Sequence, residues 1–215
     1  MAESSRAIRE YIEATLHDEL TIQLISACSD CAELAAALAA EQTDVLITDV
    51  RLPPAQGDEG IRIARRLHAT DPSVGVVLLG HYAEPAYVVS VLESAPARAY
   101  LLIERLAEKR KLIDAIESVA AGDLVVDRRI AESLIEARAR VARSPLPRLD
   151  REERDLLALI VEGKRDVAIA SSLGVPERTV AAQGRQIFAK LGLPESGDPN
   201  RRVEQALAYL AEEGT

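Results

Sequence analysis

Along the first 121 residues, short apolar runs at 21–28, 45–48, 74–79 and 99–103 alternate with helical patterns, and that alternation is the strongest constraint on the fold. Strands alternating with helices call for a parallel sheet covered on both faces. The helical patterns lie at 5–16, 31–41, 61–69, 85–93 and 106–121, with Asp30 as N-cap of the second and Gly122 ending the last. In such a sheet the chemistry sits at the carboxyl ends of the strands. Here those positions hold Asp49 after VLIT, Gly80 after VVLL and Ile103 after AYLL.

The C-terminal part reads differently. Asp150 and Glu153 form a capping box before Leu156, Leu157 and Ile160, and Gly163 ends that helix. A second helix over 166–173 stops at Gly174, and a third runs from Pro176 to Leu191 before Gly192. Two helices joined by a short glycine-containing turn make a helix-turn-helix pattern. Val180, Ile187 and Leu191 mark the buried side of the third helix and leave Ala181, Ala182, Gln183, Arg185 and Gln186 toward solvent. Val203, Ala206, Leu207 and Leu210 form an apolar stripe on a final helix.

The chain of 215 residues carries net charge −9, yet residues 128–148 are net basic between acidic flanks. This sets the expected division: 1–123, a linker with a helix at 124–147 (apolar at Ile130, Leu134, Ala137 and Val141), and 148–215. The acidic balance argues against non-specific coating of nucleic acid, though not against a local contact surface. No apolar run reaches the roughly 18 residues of a membrane span. The opening MAESSRAIRE lacks a signal-peptide core, so a cytoplasmic location is expected. Two cysteines make no disulfide scaffold or zinc site, and His17, His68 and His81 lack metal spacing. No phosphate loop or nucleophile elbow points to an enzyme.

With its LPP…DEG loop, the first part resembles the receiver domain of NarL/FixJ-type response regulators, a flavodoxin-like fold. The second, LDREERDLLALIVEG…VAIASSLGVPERTVAAQGRQIFAKLGL with NRRVEQALAYL, closely resembles the LuxR-type helix-turn-helix. The resemblance implies that Asp49 stands at the phosphoacceptor position. It also implies a degenerate site around it. Glu3 and Ser4 replace a magnesium-binding acidic pair, Gly80 a hydroxyl residue and Ile103 a lysine, while Tyr100 keeps the switch aromatic. Phosphoryl transfer rests on charge neutralisation and positioning, so phosphorylation-independent action is expected, with no cofactor and no magnesium. Gly80 leaves room for an inward Tyr100 ring.

By the same resemblance, 177–191 is the recognition helix and double-stranded DNA the partner. Arg178, Thr179, Ala181, Ala182, Gln183, Arg185, Gln186 and Lys190 are the contact positions, and Gly184 costs the helix about 1 kcal/mol against alanine. Val203, Ala206, Leu207 and Leu210 become the dimer stripe. Two readings stay open: a DNA-binding regulator, or a partner protein that heterodimerises with a related regulator. The receiver family also begins with a central strand, of which only MAES aligns. The facing edges of 21–28 and 45–48 then require an upstream start, a rearranged sheet, or a partner that fills the gap.

Overall fold

In the computed structural model, residues 1–55, 57–81, 98–140 and 144–211 are described. The chain forms two compact units, one ending at Asp123 and the other continuing from Leu124. The expected helix at 85–93 and Val141 of the linker lie outside the described residues.

The first unit contains α1 (Arg6–His17), α2 (Cys31–Ala40), β1 (Val45–Asp49), α3 (Glu59–Thr70), β2 (Gly75–Gly80), β3 (Arg98–Leu102), a 3-10 turn (Ile103–Ala107) and α4 (Lys109–Ala120). β1 runs parallel to β2, with Val45 opposite Gly75 and Asp49 opposite Leu79; β2 runs parallel to β3, with Gly80 opposite Leu102. Val76, Val77, Leu78 and Leu79 are at most 2% exposed, as a strand covered on both faces demands. α4 covers these strands with Leu112, Ile113, Ile116 and Val119. Asp30 caps α2 by accepting from the N–H groups of Ala32 and Glu33.

The stretch 21–28 is a correction. It contains no strand; Cys28 alone forms a β-bridge, to Ala2, which bridges Thr48 on its other side. The apolar alternation is present, but a strand exists only where a neighbour takes its hydrogen bonds. Here the backbone bonds to Cys28 come from Met1 and Glu3.

The second unit contains a two-residue strand β4 (Val125–Val126), α5 (Arg128–Ala139), a 3-10 turn (Leu146–Arg148), α6 (Arg151–Val161), α7 (Asp166–Leu173), α8 (Glu177–Leu191) and α9 (Pro199–Ala211). The capping box of Asp150 and Glu153 starts α6 with both reciprocal bonds made. Gly174, at φ +67°, ends α7 in the left-handed conformation that a side chain would resist, and so permits the turn into α8. α5 is not a bare connector: Ile130, Ala131, Leu134 and Ile135 are buried, and the helix packs on α6 and α9. Its apolar face is part of this unit's core.

Candidate functional site

At the carboxyl end of β1, Asp49 is 4% exposed, and its Oδ1 accepts from the Arg51 N–H at 3.1 Å. Burial pushes its pKa above the ordinary carboxylate range, opposed by the Arg51 N–H bond and the nearby His81 charge. Glu3, 1% exposed, stands beside it. Burial raises its pKa first, the Ser5 N–H bond opposes this, and the Asp49 charge raises it further. Glu3 Oε1 accepts from the Ser5 N–H at 2.7 Å, while Oε2 has no partner among the described residues. Ser4 is exposed, and its carbonyl accepts from Arg9.

The DEG motif has a packing cause. The Gly60 N–H donates to the Val50 carbonyl at 3.0 Å, and a Cβ on Gly60 would overlap the Asp49 carbonyl oxygen. α3 therefore starts directly against the backbone of Asp49 and Val50. Glu59, also buried, accepts from the Gly57 N–H and pairs with Arg62.

Across the strand ends, Tyr100 is 1% exposed, and its ring fills the space that a Gly80 side chain would take: a Cβ there would overlap the Tyr100 hydroxyl. Ile103 is half-buried and opens the 3-10 turn after β3. The fixed cation and the hydroxyl reader are absent from these positions. Sequence reasoning missed His81, which acts electrostatically on Asp49; its place directly after Gly80 was the available signal. Among the described residues no three metal-ligating side chains cluster. Glu3 and Asp49 bring two buried carboxylates together here, and Ser4 is exposed where the resemblance places the second acid of the pair.

In the second unit, α7 and α8 meet at the Gly174 turn, and α8 packs on α6 through Val180, Gly184, Ile187, Phe188 and Leu191. Arg178, Gln183, Arg185, Gln186 and Lys190 are exposed, while Thr179, Ala181 and Ala182 are half-buried. The Arg185 Nε lies 3.7 Å from a Glu195 carboxylate oxygen, and Lys190 binds the Glu153 carboxylate. Any anionic ligand must compete with those acids. Gly184 faces inward: its Cβ would sit 3.6 Å from Ile160 Cδ1, so it belongs to helix packing and not to a contact surface. A paired bridge from Arg202 to Asp166 (2.7 and 3.2 Å) ties α9 to α7.

The dimer stripe is corrected. Val203, Ala206, Leu207 and Leu210 are 2%, 0%, 3% and 4% exposed, because α9 lays this face on α5 and α6. The stripe is core of its own unit and offers no face to a second copy.

The chain thus carries one unit with a parallel sheet and Asp49 at a strand end, and one helical unit. The response regulator receiver domain matches residues 1–117, more than half of the chain, and the chain belongs to that family. It is 26% identical over 200 residues to the oxygen regulatory protein NreC of Staphylococcus carnosus, and 25% identical to NreC of Staphylococcus aureus, each match covering 90% of both chains. The RcsB response regulator of Salmonella typhimurium has the same fold, with a TM-score of 0.56 at 22% identity over 98% of this chain and 95% of that one. An RcsB–DNA complex matches with a TM-score of 0.54 at 21% identity, over 97% and 96% of the two chains. No helix among the described residues is long and apolar enough to cross a membrane.

Proposed function

We propose that this protein is a cytoplasmic, DNA-binding transcription regulator, not an enzyme, whose receiver unit acts without phosphorylation. The observation that carries the DNA reading is the exposed polar face of α8 on a closed helical scaffold, with Arg178, Gln183, Arg185 and Gln186 directed to solvent. Arginine suits guanine edges or phosphate, and glutamine suits adenine. RcsB, which shares the fold, has been solved bound to DNA, including as two dimers on two DNAs. A homodimer fits the need to read two half-sites, through a surface other than the buried α9 stripe. Phosphorylation independence is supported by Gly80 and Ile103 beside Asp49 and by Tyr100 already seated inward. The heterodimerising-partner reading draws on short Ala181 and Ala182, whereas Gly184 faces the core and lends it no support.

Selection from random DNA with the purified protein tests the reading. An enriched motif is expected, and Arg185→Ala is expected to weaken binding by about 1–3 kcal/mol if it reads a base, with an unchanged Tm. No enriched motif alone, but one on adding a related regulator, selects the partner reading. Acetyl phosphate with magnesium is expected to leave mass, oligomeric state and affinity unchanged. A phosphorylated Asp49 with altered affinity refutes the independence.

A further inference from the structure

α3 presents Glu59, Arg62, Ile63, Arg66, Leu67 and Thr70 on one face, at the spacing that brings residues three and four apart together. Across from that face stands α2, and the two helices wall a cavity of about 590 Å³. Its cause is local. α2 offers Ala35 and Ala39 here, whose methyl groups are too short to fill the space beside Ile63 and Leu67. Leu38, Ile63 and Leu67 are left half-buried as an apolar floor.

The groove has two unlike ends. Both helices start at the same one, where the Cys31 N–H donates to the Pro53 carbonyl at 3.3 Å and Pro54 and Ala55 close the groove. Charge is balanced at this closed end. Buried Glu59 accepts from the Gly57 N–H at 2.6 Å and pairs with Arg62 at 3.1 Å, and Arg62 also pairs with Asp58. Burial raises the pKa of the Cys31 thiol, and Glu59 and Asp30 raise it further against Arg62, so the field here draws no second anion. Arg66 lies one turn beyond Arg62, about 6 Å along the axis. Its guanidinium lines the groove and has no hydrogen-bond or ion-pair partner among the described residues.

We propose that the groove between α2 and α3 binds an amphipathic monocarboxylate, its carboxylate on Arg66 and its apolar chain laid over Leu67, Ile63 and Leu38 toward Cys31. The volume falls in the range of small-molecule sites, roughly 300–1,000 Å³, which join apolar walls to a few placed polar groups. The single unpaired cation asks for one anion, and the balanced closed end asks for none. Between Glu59 and Arg66 the helix rises about 10 Å, room for a chain of medium length. This inference concerns the first unit alone and does not rest on the DNA-binding or phosphorylation readings.

The test titrates decanoate, kept below its micelle concentration, into the full-length protein, following heat and the methyl NMR signals of Leu38, Ile63 and Leu67. Saturable binding that shifts these three residues is expected. Octanoate, two methylenes shorter, is expected to bind about tenfold more weakly, and decylamine at least tenfold more weakly. Ala35→Trp, at an exposed position, should fill the groove and remove binding, and Arg66→Glu should weaken it about tenfold, each with an unchanged circular dichroism spectrum. No binding at millimolar decanoate overturns the proposal, as does binding that ignores Ala35→Trp. Equal affinity for decylamine, or none lost in Arg66→Glu, overturns the carboxylate assignment. If decanoate leaves the three residues unmoved while an acidic amphipathic helical peptide shifts them, the groove docks a protein and the small-molecule reading falls.

Discussion

The two candidate sites meet solvent in opposite ways. Asp49, Glu3 and Tyr100 are 4%, 1% and 1% exposed, whereas Arg178, Gln183, Arg185 and Gln186 stand in solvent on α8. In the first unit, Tyr100 occupies the space over Gly80, and the two carboxylates carry the desolvation cost of burial. In the second, apolar packing is confined to the inner face of α8 and the polar groups remain free to meet a ligand, apart from the Arg185 and Lys190 ion pairs. The two units therefore have unequal capacity for contact: one site is closed by its own side chains and one is left open.

The largest effect expected falls on the buried α9 stripe. Leu207→Glu places a charge in a core position that is 3% exposed and should cost the second unit at least about 4 kcal/mol, seen as early melting by calorimetry. A folded variant that merely changes oligomeric state would restore the stripe as a dimer surface. Next, Gly80→Ala should cost about 2 kcal/mol and drive the Tyr100 ring toward solvent, measured by Tm and by the ring's NMR signals. An unmoved ring with an unchanged Tm breaks the account of a closed first site.

A smaller effect concerns the carboxylates. Glu3 and Asp49 hold their protons more tightly folded than unfolded, so stability falls as pH climbs from the ordinary carboxylate range through the raised folded values. The loss persists at neutral pH. Glu3→Gln keeps the acceptor for the Ser5 N–H, and should raise stability by about 1 kcal/mol at pH 7.5 while flattening that slope. Denaturant midpoints across pH 4–8, roughly spanning these changes, measure it; an unchanged slope rules the pair out as its source. The smallest expected effect is a gain. Gly184→Ala adds a methyl at ordinary contact distance from Ile160 and should stabilise by about 0.5–1 kcal/mol without loss of DNA affinity. A loss of affinity at constant stability would return Gly184 to the contact surface.

Much of this architecture was legible locally. The Asp30 cap, the capping box of Asp150 and Glu153, and the glycine ends of α7 and α8 depend on neighbours a few residues away, and each stands where its motif placed it. Apolar runs likewise announced β1, β2 and β3, because a strand covered on both faces must be apolar throughout.

What sequence could not decide was who covers whom. Periodicity gave α9 an apolar face but not its partner, and α5 and α6 claimed it before a second chain could. The helix at 128–139 looked like a connector until its face was seen on the same core. Residues 21–28 alternate as a strand does, yet strand pairing is a long-range contact, supplied here to Cys28 by Met1 and Glu3. Sequence by itself determined the receiver-type α/β unit, the helix-turn-helix pattern and the position of Asp49, because these follow from local hydrogen bonding and residue spacing. The inward Tyr100, the burial of Glu3 and the fate of the α9 stripe were settled by tertiary structure, since each depends on atoms that the chain brings together only on folding.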